Sequence, residues 1–152
     1  MATIVPTLTL VSNSSSHATP GPLSIALSLS ATDALDVTAV SSKIVDITAT
    51  HQAIWTASDY FTTAANFGVD GAFMYFKNTL SDNASPDLLH DICIGTANAD
   101  LDTADLATRW FTLQPGEFAW VPYDLTNDIY ADGQEANTGA LECWLFVRTT
   151  TS

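Results

Sequence analysis

Apolar residues recur at every second position along the first third of the chain. They do so at Leu8 and Leu10, at Ile25, Leu27 and Leu29, at Leu35 and Val37, and at Val45 and Ile47, with Ile54 following. This period is typical of β-strands that bury one face, because successive side chains of a strand point to opposite sides. The polar stretch NSSSHATPGP, residues 13–22, interrupts the pattern and predicts a loop. The first third is therefore predicted to consist of strands and loops.

The middle of the chain alternates strand-like runs with two long polar segments. GAFMYFKNTL (71–80) and LLHDICIGT (88–96) each predict a strand. TASDYFTTAANFGVDG (56–71) predicts a long loop with at most a short helix, for which Ser58 is the candidate cap. TANADLDTADLAT (96–108) predicts a second, acidic loop.

A proline-glycine turn is predicted between two strands in the last third of the chain. RWFTL (109–113) and FAWVPY (118–123) predict two strands across the turn Gln114, Pro115, Gly116 and Glu117. Proline suits the first central position of a type II turn and glycine the second, where φ is positive. NDIYA (127–131) and GALECWLFVRT (139–149) predict a further pair of strands, joined by the polar DGQEANT.

These elements predict an all-β protein. Strand signals follow one another closely, and no segment of 10 to 15 residues has the pattern of an amphipathic helix. We expect a single antiparallel β-sandwich domain over residues 1–152, with two long loops and with a jelly-roll-like arrangement as one option. Residues 1–11 are the candidate for an N-terminal arm.

Aromatic residues are too frequent in the last third for one core face. We expect the rings at Trp110 and Phe111, and those at Phe118 and Trp120, to occupy both faces of their strands. The second face needs a cover, which either loops of the same subunit or another subunit could supply. The candidate residues of a subunit interface are Ile4, Val5, Leu8, Trp110, Trp120 and Tyr123.

The net charge of the chain limits the classes of molecule that it is expected to bind. Four basic residues face 17 acidic ones, for a net charge of −13, which repels nucleic acid and anionic lipid. The acidity either keeps the surface soluble or attracts a basic protein surface. The opening residues lack the features of a signal peptide, so we expect the chain to fold in a cytosol.

No chemical motif stands out from the sequence. Asp100, Asp102 and Asp105 lie close together but lack the glycine and glutamate of a calcium-binding hand, and the three histidines are far apart. Nucleophile elbows and phosphate-binding glycine loops are likewise missing. Cys93 and Cys143 lie in apolar runs and are expected to be small buried hydrophobes, with a disulfide as the alternative. We therefore predict a non-enzymatic protein without a metal or cofactor.

Several of these segments resemble a group of small virion structural proteins from tailed bacteriophages. The matching segments are FMYFKN (73–78), ICIGT (92–96), WFTLQPGEFAWVPY (110–123), DIYADG (128–133) and LECWLFV (141–147). The resemblance implies a β-sandwich subunit that decorates a capsid or forms part of a tail, with no catalytic residues to carry over.

The leading hypothesis is a capsid decoration or cement protein that bridges capsomers on the outer head. It would fold in the host cytoplasm, bind the major capsid protein or other virion proteins, and form a homo-oligomer, preferably a trimer. The alternative is a tail fibre or baseplate module that binds host glycans through exposed rings, for which the candidates are Trp55, Trp110, Trp120, Tyr123 and Trp144. A third option, a cupin-like enzyme, lacks the expected histidine cluster.

Overall fold

A computed structural model describes residues 2–4, 7–11, 24–28, 35–59, 71–80, 90–96, 101, 107–123, 126–133 and 139–148. The chain divides into two compact units, Met1–Thr38 and Ala39–Ser152. Whether residues 1–152 act as one domain stays a prediction.

The first unit contains short antiparallel strands. Strand β1 (Ala2–Ile4) pairs with the beginning of β4 (Leu35–Ile47), so that Ala2 lies opposite Val37. Strands β2 (Thr7–Val11) and β3 (Ser24–Ser28) form a two-stranded sheet of their own. The described parts of the predicted arm are therefore strands with partners inside this chain.

The second unit is an antiparallel β-sandwich, which confirms the predicted fold class. Besides the main part of β4, its strands are β5 (Gln52–Trp55), β6 (Gly71–Asn78), β7 (Ile92–Gly95), β8 (Arg109–Leu113), β9 (Phe118–Tyr123), β10 (Ile129–Gly133) and β11 (Gly139–Arg148). The order β4-β11-β6-β9 forms the first sheet and β5-β10-β7-β8 the second.

This strand order is that of a jelly roll. If the eight strands from β4 to β11 are lettered B to I in chain order, the two sheets read BIDG and CHEF. Successive strands then alternate between the sheets, except that β7 and β8 are neighbours in the second sheet. This is the arrangement of the jelly rolls found in capsid proteins, lectins and cupins. The topology is thus shared by proteins of very different function.

The strand pairs predicted for the last third are wrong, although the strands themselves are confirmed. β8 and β9 belong to different sheets, and so do β10 and β11. The turn between β8 and β9 explains the first case, because a two-residue hairpin needs a type I′ or II′ turn, whose twist matches the strands. A proline-glycine turn with positive φ at the second position instead lets the two strands diverge into opposite sheets.

A continuous core fills the space between the two sheets. The first sheet contributes the inward residues of β6, β9 and β11, including Met74, Phe76 and Leu145, and the second contributes Ile54, Ile94 and others. From Ala72 to Asn78 in β6 buried and half-buried residues alternate, as expected for a strand with one core face. The side chains on the opposite side of β6 consequently lie outside the core.

The two predicted long loops lie mostly outside the described residues. At the start of the first, a 3₁₀ helix spans Ala57–Asp59, in agreement with the expected short helix. Ser58 lies within this turn and does not cap it; the Ala57 amide instead donates to Asp128 Oδ1 at 2.8 Å. In the described part of the chain, no helix has the length and apolarity needed to cross a membrane.

Candidate functional site: an aromatic face on the first sheet

The outer side of the first sheet carries a cluster of large rings. Strands β6, β9 and β11 each turn alternate residues into the core, so the intervening residues point away from it. These intervening positions hold six aromatic residues, which we call the aromatic face: Phe73, Tyr75, Phe118, Trp120, Trp144 and Phe146.

Strand register brings the six rings together. Tyr75 in β6 lies directly opposite Trp144 in β11 and Trp120 in β9, which forms one row across three strands. Phe73 lies opposite Phe146 in the next row. Residues opposite each other in antiparallel strands have Cβ atoms only about 5 Å apart, so large side chains in adjacent rows come close to one another.

The rings of the aromatic face pack mainly against one another. Phe73 and Trp120 stack with centroids 5.4 Å apart and planes 14° apart, and Trp144 and Phe146 stack at 6.1 Å and 9°. Trp120 also contacts Phe146 at 5.2 Å. Four rings therefore form one connected cluster, with their faces turned towards each other.

This side of the sheet remains partly open to solvent. Phe118 is 56% exposed, and on the neighbouring strand β4 Val40 and Ile44 are 49% and 70% exposed. The other five rings of the aromatic face are half-buried. A concentration of large apolar side chains on one sheet surface is typical of a binding site for another molecule.

Charged groups lie beside the rings. Glu142 and Lys77 are opposite each other in register, one row beyond Tyr75 and Trp144. The Glu142 carboxylate accepts a hydrogen bond of 2.9 Å from the Trp144 indole Nε1. Burial, together with the nearby Glu142 carboxylate, raises the pKa of the Tyr75 hydroxyl. A fixed carboxylate thus lies among the rings at one end of the face.

The predicted interface residues are only partly brought together. Trp120 belongs to the aromatic face. Trp110 is 42% exposed but makes an edge contact with Tyr123, with centroids 6.2 Å apart. Tyr123 is buried in the core and is covered by its own chain. Ile4 lies in β1 and Leu8 in β2, but their side chains and the whole of Val5 lie outside the described residues.

The expectation that the two rings point to opposite faces holds for Trp110 and Phe111 in β8 and fails for Phe118 and Trp120 in β9. Phe111 packs against the core whereas Trp110 is exposed. Phe118 and Trp120, however, are two residues apart and share the outer side of β9. The inward positions that alternate with them hold Ala119 and Val121.

The turn between β8 and β9 has the geometry that its sequence predicts. Gly116 has a φ of 80°, and the Glu117 amide donates to the Gln114 carbonyl at 3.0 Å. Glu117 adds a contact that the sequence did not predict: its carboxylate accepts a 2.9 Å bond from the Gln114 amide. With Pro115 at the first central position, all four predicted turn residues have a structural role.

Hydrogen bonds of Asn78, at the end of β6, connect this turn to the sandwich. Its backbone carbonyl accepts from the Gly116 amide at 3.1 Å, and its fully buried side chain donates to the carbonyls of His90 and Leu113 at 2.9 and 3.2 Å. The side-chain oxygen accepts from the Leu80 amide at 3.2 Å. The sequence analysis assigned no role to Asn78; the only signal was a polar residue at an inward position of an otherwise apolar strand.

Neither a metal-ligand cluster nor a readily ionised Cys143 thiol is found in the described part of the chain. The described residues contain no group of three or more His, Cys, Asp or Glu side chains arranged to hold a metal ion. Cys93 and Cys143 are both buried free thiols, as predicted. Burial raises the pKa of Cys143 to about 12, so its nucleophilic thiolate form is scarce near neutral pH.

No protein-family model matches the chain, and no curated protein matches its sequence.

Proposed function

We propose that this chain is a non-enzymatic structural subunit of a bacteriophage virion, most simply a capsid decoration protein, and that it contacts neighbouring proteins through the aromatic face. The observation that carries the proposal is the aromatic face itself. Six rings lie on the side of the sheet that faces away from the core. In a protein without a partner, this side faces water and is expected to carry polar residues. The sequence resemblance supports a virion as the assembly.

The size of the face suits the centre of a protein interface. Strands lie about 4.8 Å apart and side chains of one side about 6.8 Å apart along each strand, so the three rows on three strands that contain the six rings cover roughly 300 Å². Apolar patches of a few hundred Å² on a single protein are often functional. Interface centres are also enriched in Trp, Tyr and Phe.

Ring geometry favours a protein partner over the alternative, a host glycan. A sugar stacks on the flat face of an exposed ring. Here Trp120 stacks on Phe73 and Trp144 on Phe146, so at most one face of each indole is left for a sugar. A glycan array with the intact protein tests the alternative directly, since a selective sugar signal would favour a tail fibre or baseplate module.

The proposed function is tested with particles that lack this chain. Purified protein added to such particles should bind in many copies per particle, and Phe118→Ser should weaken that binding. Trp110→Ser is the matched control, because Trp110 is also an exposed ring but lies outside the aromatic face. Absence of the chain from native particles, or equal binding by both variants, would contradict the proposal.

A second measurement concerns position on the particle. We expect a reconstruction of the intact virion to place the chain on the outside, because a net charge of −13 disfavours close contact with packaged DNA. A position inside the shell against the genome would contradict the decoration role.

A further inference from the structure

We infer that the partner surface of the aromatic face is basic: an apolar patch surrounded by arginine or lysine side chains. This inference rests on the proposed function and names the chemistry of the partner. The area of the aromatic face is too small to form a whole protein interface on its own. A footprint of roughly 300 Å² is well short of the ~800 Å² that each side of a standard interface buries. Most of the contact must therefore come from the residues around the rings.

Two acidic residues are described beside the aromatic face. Glu142 lies beside the rings on β11, and Asp46 lies on the exposed side of β4. Lys77 lies on the same side of the sheet, directly opposite Glu142. The chain as a whole carries a net charge of −13. A partner with basic residues around its apolar centre would complement this surface.

The same charge argues against a second copy of this chain as the occupant. Two copies that met face to face would each carry a net charge of −13, and the Glu142 and Asp46 carboxylates of both copies would lie in the same interface. Like charges brought together across an interface cost several kcal/mol. A basic partner reverses the sign of that interaction.

Glu142 and Trp144 provide a specific position for a cation. The hydrogen bond from indole Nε1 holds the carboxylate at the edge of the Trp144 ring. A guanidinium group can lie over an indole and at the same time donate to a neighbouring carboxylate, because it is planar and carries several donors. The chain already pairs a cation with an indole elsewhere: Lys43 Nζ lies 4.3 Å from the centroid of the Trp55 ring.

The inference is tested by nuclear magnetic resonance titration of the intact, ¹⁵N-labelled protein with three synthetic peptides. The probes are acetyl-Arg-Leu-Gly-Leu-Arg-amide and its two analogues with glutamine or glutamate in place of arginine. The arginine peptide should shift amide signals of β6, β9 and β11 and bind about threefold more tightly than the glutamine peptide. The glutamate peptide should bind most weakly.

Two variants assign the effect to the face. Glu142→Gln keeps an oxygen acceptor for the Trp144 indole but removes the charge, and should weaken binding of the arginine peptide about threefold. Asp59→Asn is the matched control, because it removes one exposed negative charge from the 3₁₀ turn instead of from the sheet surface. It should leave the affinity unchanged.

Three results would overturn the inference: equal affinity for the arginine and glutamine peptides, signal shifts confined to other strands, or equal effects of the two variants. Light scattering that showed a dimer of the wild type dissociated by Phe118→Ser would also overturn it, since a second copy would then occupy the face. The proposed function would survive all four results if Phe118→Ser still reduced binding to particles.

Discussion

Replacing Asn78 with alanine should remove a large part of the stability of the sandwich. The side chain makes three hydrogen bonds, to the carbonyls of His90 and Leu113 and to the Leu80 amide, and the residue is 0% exposed. The bond to Leu113 is buried, and leaving that carbonyl without a partner costs about 2 kcal/mol. The other two bonds are partly buried and cost about 1 kcal/mol each. We expect a loss of about 4 kcal/mol.

This loss is a large fraction of the total stability of ordinary domains, which is about 5–15 kcal/mol. Urea denaturation followed by tryptophan fluorescence gives the free energy of unfolding of wild type and variant. Asn127→Ala is the matched control: Asn127 is exposed and bonds only to the adjacent Thr126 among the described residues, at 3.0 Å, so its loss should stay within about 0.5 kcal/mol.

Asn78→Asp separates hydrogen bonding from packing. It preserves the shape of the side chain but turns an oxygen, in place of the NH₂ donor, towards the His90 and Leu113 carbonyls. It should therefore destabilise the protein at least as much as alanine does at neutral pH. A loss of less than about 1.5 kcal/mol for Asn78→Ala, with an unchanged denaturant slope, would refute the reasoning.

Three further predictions concern single residues. Gly116→Ala should cost about 1 kcal/mol in the same urea assay, because φ is 80° but the nearest atom to a new Cβ, the Leu80 oxygen, is 3.8 Å away. Gly95→Ala should cost about 3 kcal/mol or more, since its Cβ would lie 2.5 Å from the Thr108 oxygen; a smaller loss than for Gly116→Ala would contradict the geometry. Burial raises the pKa of Cys143 from 9.0 to about 12, so an unfolded chain releases this proton at lower pH than the folded one. The contribution of the Cys143 proton to the free energy of unfolding is therefore complete below pH 9 and is lost as the pH rises towards 12. Urea titrations at pH 8 and pH 10.5 should show a smaller loss of stability at the higher pH for Cys143→Ala than for the wild type.

The sequence predicted the strands well because their signals are local. Alternation of apolar residues follows directly from the two-residue repeat of a strand, and the proline-glycine turn follows from the φ preferences of its residues. Both kinds of signal lie within a few residues of the feature they predict. The all-β class and most strands of the last third were therefore predictable.

Strand pairing was not predictable in the same way. β11 lies between β4 and β6, which are distant from it in sequence, and no local pattern reports such a partner. The error of pairing β10 with β11 came from assuming that neighbours in sequence pair in space, which holds in only about two thirds of cases.

The composition of the candidate site could be predicted from the sequence, but its arrangement could not. Sequence reasoning identified an excess of rings, including Trp110 and Trp120, but it could not tell which rings share a surface. That depends on strand register, which sets Tyr75 between Trp120 and Trp144 and places Tyr123 in the core. Asn78 could not be identified because its partners, His90 and Leu113, are 12 and 35 residues away.

The position of β11 has a consequence for how the protein is made. This strand is the last of those described along the chain, yet it forms an inner strand of the first sheet, between β4 and β6. The sheet cannot form completely during translation until the ribosome has released residues 139–148, so β4 and β6 each lack one neighbouring strand until then. We expect the nascent chain to depend on chaperones during this interval, and the sandwich to form late and in one cooperative step.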